Sequence, residues 1–402
     1  MRLNHYLGGI LLVSGTTIGA AMLAVPVGTG FMGFFPSLAL FGVCWLFFLL
    51  TAIFFIDVNH SVGGEANLIS MAGRTIGTFG QAITWVLYLL LLYSLVAAYI
   101  AGSAPLFQNA LFTLTGLSIP IWLSYFVLPV IFGFFIYMGT EGVDVVNRVL
   151  MALLLITYVV LIGVVPEHVN GSYLMHVDWR VGFVGVPVVV TSFGYHIIIP
   201  TLATYLKHDR KHLIWTAVIG SLITVAVYGV WQALVLGVVP LTGPISLAST
   251  WSSGGSAATP LSQLLENKWI GMAAQFFAIF AIITSFLGVS LSLADFLTDG
   301  FKLRKSWEGR LIAIVLTFVP PLFFVFTYPR GFYLALQHGG AVVILLLGFL
   351  PCWMAWKQYR SVAMRLLLIL MMVISIGVVV VDCMDQAGYF KEDLAPYVSP
   401  KN

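Results

Sequence analysis

The chain has 402 residues, of which 60% are hydrophobic and only 8% charged, with a formal net charge of +3. An ordinary soluble domain carries roughly a quarter charged residues, so the composition excludes a soluble protein and describes a polytopic one embedded in a lipid bilayer. No nucleic-acid partner, obligate protein partner or cofactor is expected.

A membrane crossing needs about 20 apolar residues, and eleven segments qualify: 7–33, 36–56, 81–107, 121–138, 144–165, 183–205, 213–238, 269–298, 309–327, 332–356 and 364–384. No soluble domain is left over. The fold class is therefore all-α, one domain over 1–402. Cys44, Cys352 and Cys383 all fall in apolar segments, which argues for packing rather than disulfides. Met1-Arg2 imitates a basic leader, but the apolar run behind it is too long and its Gly and Thr content is wrong for a signal peptide. With a cytoplasmic N-terminus, eleven spans place Arg2, Arg74, Arg148, Lys207, Arg210, Lys211, Lys302, Arg304, Lys305, Arg310, Lys357, Arg360 and Arg365 inside. Thirteen of the eighteen basic residues then lie inside, leaving Arg180, Lys268, Arg330, Lys391 and Lys401 outside. The positive-inside rule accordingly predicts N-in and C-out.

The first span is interrupted. Gly15, Thr16-Thr17, Gly19 and Pro26 loosen a backbone ladder that lipid cannot repair, so the break belongs where protein or a solvated cavity supplies partners. Discontinuous helices near the bilayer midplane are how many secondary transporters build a binding site from backbone groups. Segment 60–80, with Gly63-Gly64, Glu65, Asn67 and Arg74, reads as a loop with a short interfacial helix. In the sixth span Thr191-Ser192-Phe193-Gly194-Tyr195-His196 and Pro200 echo Thr16-Thr17-Ile18-Gly19 and Pro26. The echo predicts two five-span repeats, 7–165 and 183–356, the second inverted, followed by an eleventh helix and tail over 357–402. The longer outer connections, 166–182 and 239–267, either gate access or are passive.

The runs Gly15 to Pro26, Ala97-Ala98-Tyr99-Ile100, Thr191 to His196, Thr284-Ser285-Phe286-Leu287-Gly288 and Tyr328-Pro329-Arg330-Gly331-Phe332 resemble those of the bacterial aromatic amino acid permeases, the tyrosine- and tryptophan-specific transporters. The match runs in register from about residue 7 to 350. The resemblance implies a member of the amino acid/polyamine/organocation superfamily with the five-plus-five inverted-repeat (LeuT-like) fold and discontinuous helices 1 and 6. It also implies proton-driven uptake of aromatic L-amino acids, tyrosine before tryptophan or phenylalanine, across the bacterial inner membrane.

Chemistry at the breaks stands beside that resemblance. A zwitterionic amino acid is expensive to desolvate unless matched dipoles receive it. The helix segment starting near Gly19 and Ala20, with Thr16, Thr17 and Met22 close by, offers N–H groups to a carboxylate. Carbonyls freed around Ser192 and Gly194 suit an ammonium. Phe193 reads as an aromatic gate, and Tyr93 or Tyr99 as the ring pocket, although each is also an ordinary packing residue. His196 lies inside a span, where an ionisable group is a functional hypothesis. It is a proton carrier, a substrate hydrogen-bonding group or a cap for a freed carbonyl. Gln337 and His338 on span ten are a second polar pair of substrate-binding candidates, and they depart from the apolar or small residues of relatives.

The coupling ion has two readings. The resemblance implies a proton, yet the lysine that some proton-coupled relatives carry in span five has no counterpart between Val149 and Val165. Thr284 and Ser285, with Ala281 and the carbonyls of Gly15 and Ile18, form an oxygen set suited to sodium. The alternative is that the two hydroxyls simply bond across helices. Other classes lack their marks: no His-Glu-x-x-His, Gly-x-Ser-x-Gly or paired intramembrane aspartates for an enzyme, and no repeated pore loop for a channel.

Overall fold

Lipid offers no partner to backbone N–H and C=O groups, so apolar stretches of this length close their own hydrogen bonds as helices. The computed structural model describes residues 3–63, 66–138, 140–265, 267–304, 306–328 and 331–398. Arg2, Gly64, Glu65, Lys305, Pro329, Arg330 and Lys401 lie outside the described residues. Among those described, ten helices are long and apolar enough to cross a membrane: Phe34–Val62, Thr78–Phe112, Ile121–Met138, Val143–His168, Trp179–Tyr205, Arg210–Val238, Trp269–Gly300, Trp307–Thr327, Gly331–Ala355 and Val362–Gln386. The bent pair His5–Thr17 and Ala20–Thr29, turning by 46°, precedes them as span one and completes the expected eleven.

The spans sort into a core and a belt. In their most apolar windows, spans six and ten are 61% and 67% buried, whereas spans four, five and eleven are 22% buried. The belt turns leucine, valine and phenylalanine outward: Val130, Phe134, Leu155, Ile156, Leu366 and Val373 are exposed. In the core, span three packs on spans eight and ten, span seven on spans one and two, and the first half of span six on span ten. Close approach depends on small residues. A Cβ on Gly340 would meet the Pro187 carbonyl oxygen at 2.1 Å. Span ten widens into π-helical turns over Ile344–Phe349. Cys44 and Cys352 are buried, while Cys383 is exposed on span eleven, outside the packing role expected of it.

The short helix expected after span two is Leu68–Thr75, capped by Asn67, whose side chain accepts from the Ser70 N–H. At this end Asp57 of span two receives Arg210 of span seven through both carboxylate oxygens, at 2.5 and 3.0 Å, and the Tyr359 hydroxyl after span ten. At the far end the two long connections fold onto the second half of span one. His176 donates to the Phe31 carbonyl at 2.8 Å, the Asp178 N–H to Met32 at 3.0 Å and the Ala257 N–H to Leu23 at 2.9 Å. Gly33 permits this approach. Its φ is +92°, and a Cβ there would stand 1.9 Å from the His176 carbonyl oxygen.

The C-terminal helix Lys391–Val398 closes over this layer, with Leu394 in the cluster of Phe31, Met32, Val181, Val184 and Ala248. Its tie is Asp178, which receives Arg180 at 2.9 and 2.8 Å and the Tyr397 hydroxyl at 2.8 Å. The Arg180 guanidinium first, then the Tyr397 hydroxyl and the Arg180 N–H, hold the Asp178 carboxyl well below the usual carboxylate range. A group depressed on folding stabilises above its unfolded pKa, about 3.9 for aspartate, and loses that contribution only as pH falls through the lower folded value. Hydrogen-exchange protection of residues 391–398 should therefore be flat from neutral pH down to about 4. Asp178→Asn should lower it severalfold, and unchanged protection in that variant would show that the tie does not hold the helix.

Candidate functional site

Span one stops being helical at Thr17. The hydroxyls of its last turns bond back to their own helix, Ser14 to the Ile10 carbonyl, Thr16 to Leu12 and Thr17 to Val13. Such back-bonding competes with the helical ladder and bends it. Gly19, extended at φ −159° and ψ −158°, breaks it. The chain re-enters as a 3-10 turn over Ala20–Leu23 and a helix over Val25–Thr29, with Pro26 in the first turn, where no N–H is needed. Span six repeats the pattern. Its first half, Val186–Ser192, ends before Phe193, and a 3-10 turn over His196–Ile198 leads into Ile199–Tyr205, with Pro200 in its first turn.

Neighbouring spans supply the partners that the two breaks need. The Tyr228 hydroxyl of span seven lies 2.6 Å from the Thr17 carbonyl oxygen and 3.1 Å from that of Ser192, so its one hydrogen serves both broken helices. On the same helix Thr224 donates to the Thr17 hydroxyl at 3.1 Å, and the Trp231 indole donates to the Met22 carbonyl at 3.0 Å. From span eight, the Ser285 hydroxyl accepts the Ala20 N–H at 3.1 Å and fills the space beside Gly19, where a Cβ would come within 2.6 Å of it. The Thr191 hydroxyl reaches the Leu336 carbonyl of span ten at 2.8 Å. Phe193 is fully buried, its ring edge-on to Tyr228 with centroids 5.5 Å apart. Chemically, the arrangement sets backbone amides at the start of 20–29 and carbonyls at the end of 186–192 within one aromatic enclosure.

The structure gathers Thr17, Gly19, Ala20, Met22, Ser192, Phe193 and Ser285 at this junction, with Tyr99 facing both Ser285 and Tyr228. Thr16 is exposed and bonded only within its helix. Tyr93 points the other way and donates to the Leu316 carbonyl of span nine at 2.9 Å. Gly194 is lined by Leu347 and Val343 of span ten. His196 is fully buried, its Nε2 2.9 Å from the Thr51 hydroxyl among the rings of Phe48, Phe55 and Tyr195, and its Nδ1 has no partner. Gln337 and His338 turn to span eleven, onto Asp385 and Gln386. Of the oxygen set, Ala281 is buried, Thr284 donates to the Phe280 carbonyl at 2.8 Å, Gly15 lies against Met151, and the Ile18 N–H continues the helix to the Ser14 carbonyl.

Sequence reasoning missed span seven. Ser221, Thr224, Tyr228 and Trp231 stand three or four residues apart, with Gln232 four residues after Tyr228, and that polar stripe was there to be read. Gln232 ties the same face to Thr29 at 2.7 Å and Ser37 at 3.2 Å. Also missed were Asp382 and Asp385, which lie in or beyond the tail of the last apolar segment.

A model of the tryptophan/tyrosine permease family matches residues 2–384. The chain is 31% identical over 400 residues to the tyrosine-specific transport system 1 of Haemophilus influenzae, covering 96% of this chain and 98% of that protein. It is 26% identical over 355 residues to a tryptophan-specific transport protein of Shigella flexneri, covering 87% and 86%. Identity to the glutamine transporter 2 of Aliivibrio fischeri is 28% over 352 residues, covering 86% and 87%. Among solved structures, MhsT in complex with L-phenylalanine has the same fold, with a TM-score of 0.60 at 12% identity, covering 94% of this chain and 98% of that one.

Tyr228→Phe keeps the ring and removes the shared hydrogen. Side-chain hydrogen bonds between membrane helices average about 0.6 and reach about 1.7 kcal/mol. The variant should lose stability toward the upper end, because two carbonyls are orphaned at once. Thermal unfolding in detergent measures it, and an unchanged Tm would show that the bridge carries no weight.

Proposed function

The chain belongs to the tryptophan/tyrosine permease family, a family of transporters rather than enzymes, and we propose that it imports aromatic L-amino acids, tyrosine foremost, by proton symport with alternating access. The carrying observation is the junction itself, two broken spans joined through Tyr228 and surrounded by Tyr99, Phe193 and Trp231. In this reading the substrate carboxylate takes amides near Gly19 other than that of Ala20, its ammonium takes carbonyls freed near Ser192, and Phe193 covers the ring. The lining holds no carboxylate to favour a cationic side chain. Residues 7–165 and 183–356 act as the two inverted halves. The membrane is the bacterial inner membrane, with the N-terminus cytoplasmic and the C-terminal helix periplasmic.

A cavity of about 270 Å3 at the far end, bordered by Gly30, Tyr173, His176, Leu241 and Leu247, gives a periplasmic approach to the second half of span one. The proton is preferred to sodium because the resemblance to the aromatic amino acid permeases carries it, although Thr284 donates within its own helix and Ser285 accepts the Ala20 N–H, which leaves each oxygen a lone pair. Sodium has one observation in its favour, the position of Ser285 beside the break.

In proteoliposomes, labelled tyrosine should undergo counterflow that tryptophan and phenylalanine suppress and leucine, serine, arginine and glutamine do not. Equal suppression by leucine or glutamine would remove the aromatic assignment. Accumulation should follow a pH gradient in sodium-free buffer and collapse with it, and accumulation that needs sodium and ignores the proton gradient would reverse the ion. The two glycines separate in severity. A methyl at Gly19 must displace the Ser285 hydroxyl, an overpacking cost of about 1–3 kcal/mol, or roughly 5- to 150-fold in exchange. At Gly194 a Cβ meets only the side-chain tips of Leu347 and Val343, at 3.3 and 3.4 Å. Gly19→Ala should thus cripple exchange while Gly194→Ala lowers it mildly, and equal rates in both would place the substrate elsewhere.

A further inference from the structure

Span eleven ends in two carboxylates one turn apart, Asp382 and Asp385. Asp382 is 2% exposed, its Oδ2 accepts from the Gln386 amide at 2.7 Å, and its Oδ1 is buried without a hydrogen-bond partner. The groups that face it are Gln337 and His338 from span ten and Asp385 and Gln386 from its own helix. Gln337 donates to Asp385 at 2.8 Å, and Gln386 lies 3.0 Å from His338 Nδ1. Among the described residues, the other elements packed on span eleven add no charge here. The first half of span six and the π-helical stretch carry no ionisable residue, Cys352 lies beyond that stretch, and Tyr333 is turned onto the Val184 carbonyl.

A charged group inside a span is costly unless compensated. Around Asp382 stand two neutral amides, a second carboxylate and one imidazole. Protonating the buried Asp382 carboxyl removes the cost of holding its charge away from water. The unpartnered Oδ1 is where that proton sits. Exposure rises stepwise from buried Asp382 to half-buried Asp385 and His338 and exposed Gln386 at the end of the span, whereas His196 is fully enclosed.

The cluster also touches the broken helix. Gln337 directly follows Leu336, whose carbonyl accepts the Thr191 hydroxyl at the end of the first half of span six. One turn on, Gly340 packs against the Pro187 carbonyl of that half-helix. We propose that Asp382, with Asp385 and His338 beside it, is a proton-binding site between spans ten and eleven whose occupancy sets Gln337 and, through it, the seating of span ten on the break in span six. The proton is taken up and released at Asp382 Oδ1 in exchange with water, with no other bond changed. The site deepens the proton-symport reading and rests on it.

The test reads accumulation and exchange separately in proteoliposomes. At one proton per substrate, a pH gradient of one unit supports roughly tenfold accumulation of labelled tyrosine. Asp382→Asn should still exchange tyrosine but lose that accumulation, and Asp382→Glu should recover it. Tenfold accumulation by Asp382→Asn would overturn the proposal, as would a variant whose only change is in sodium dependence. Wild-type exchange without any proton-driven accumulation would instead defeat the symport reading itself. For a case in which the asparagine variant does not fold, the wild-type protein is treated with dicyclohexylcarbodiimide, which reacts with protonated carboxyls in apolar surroundings, and the adduct is mapped by mass spectrometry. Modification at Asp382 that declines as pH rises supports the site, and its absence from mildly acidic to mildly alkaline pH overturns it.

Discussion

Two helices broken inside a membrane leave carbonyls that lipid cannot satisfy, and a single hydroxyl on span seven answers for both. In a medium without water an orphaned carbonyl is costly, and Tyr228 is the partner that the breaks at Thr17 and Ser192 share. The rest of the core follows from keeping that hydroxyl in place. Thr224 and Trp231 fasten the same helix to span one a turn below and above, Gln232 extends the seam to span two, and Phe193 closes over the phenol ring.

The two ends of the bundle use the same chemistry. Asp57 at one and Asp178 at the other each receive an arginine through both oxygens and a tyrosine hydroxyl as well. Bidentate arginine fixes direction as well as distance; Arg210 does this across distant segments at Asp57, whereas at Asp178 the arginine is local and the Tyr397 hydroxyl alone spans the sequence. At the first end the joined pieces are spans two and seven and the chain after span ten. At the other they are the connection into span six and the C-terminal helix. Between these ties the core relies on close glycine contacts and a few hydroxyls, which hold position without long-range charge.

Much of this was legible in the residues because lipid is a demanding solvent. Apolar length fixed the number of spans, and Gly19 with Pro26 and Gly194 with Pro200 marked the breaks, since few other reasons exist to put such residues there. Partners were harder to read. Tyr93 and Tyr99 are nearly equivalent in sequence, six residues apart on span three, and only helix rotation turns one to Ser285 and the other to the Leu316 carbonyl. His196 shows the same limit: its place inside a span was plain, but its seat against Thr51 depends on how span two packs. Gln337 and His338 looked like lining residues until span eleven, distant in sequence, supplied Asp382, Asp385 and Gln386.

The π-helical turns of Ile344–Phe349 bear on how span ten is numbered as well as on how it is shaped. An α-helix advances about 100° per residue, and a π turn absorbs one residue more than an α turn. Side chains beyond the wide turn are therefore rotated by about that angle from where an unbroken helix would carry them. Gln337, before the wide turns, meets span eleven, while Leu350–Ala355, beyond them, packs on span two. The residue count in this short stretch acts as a phase setting between the two contacts. Adding or removing one residue there would leave composition and hydropathy almost untouched and still misalign half of the helix.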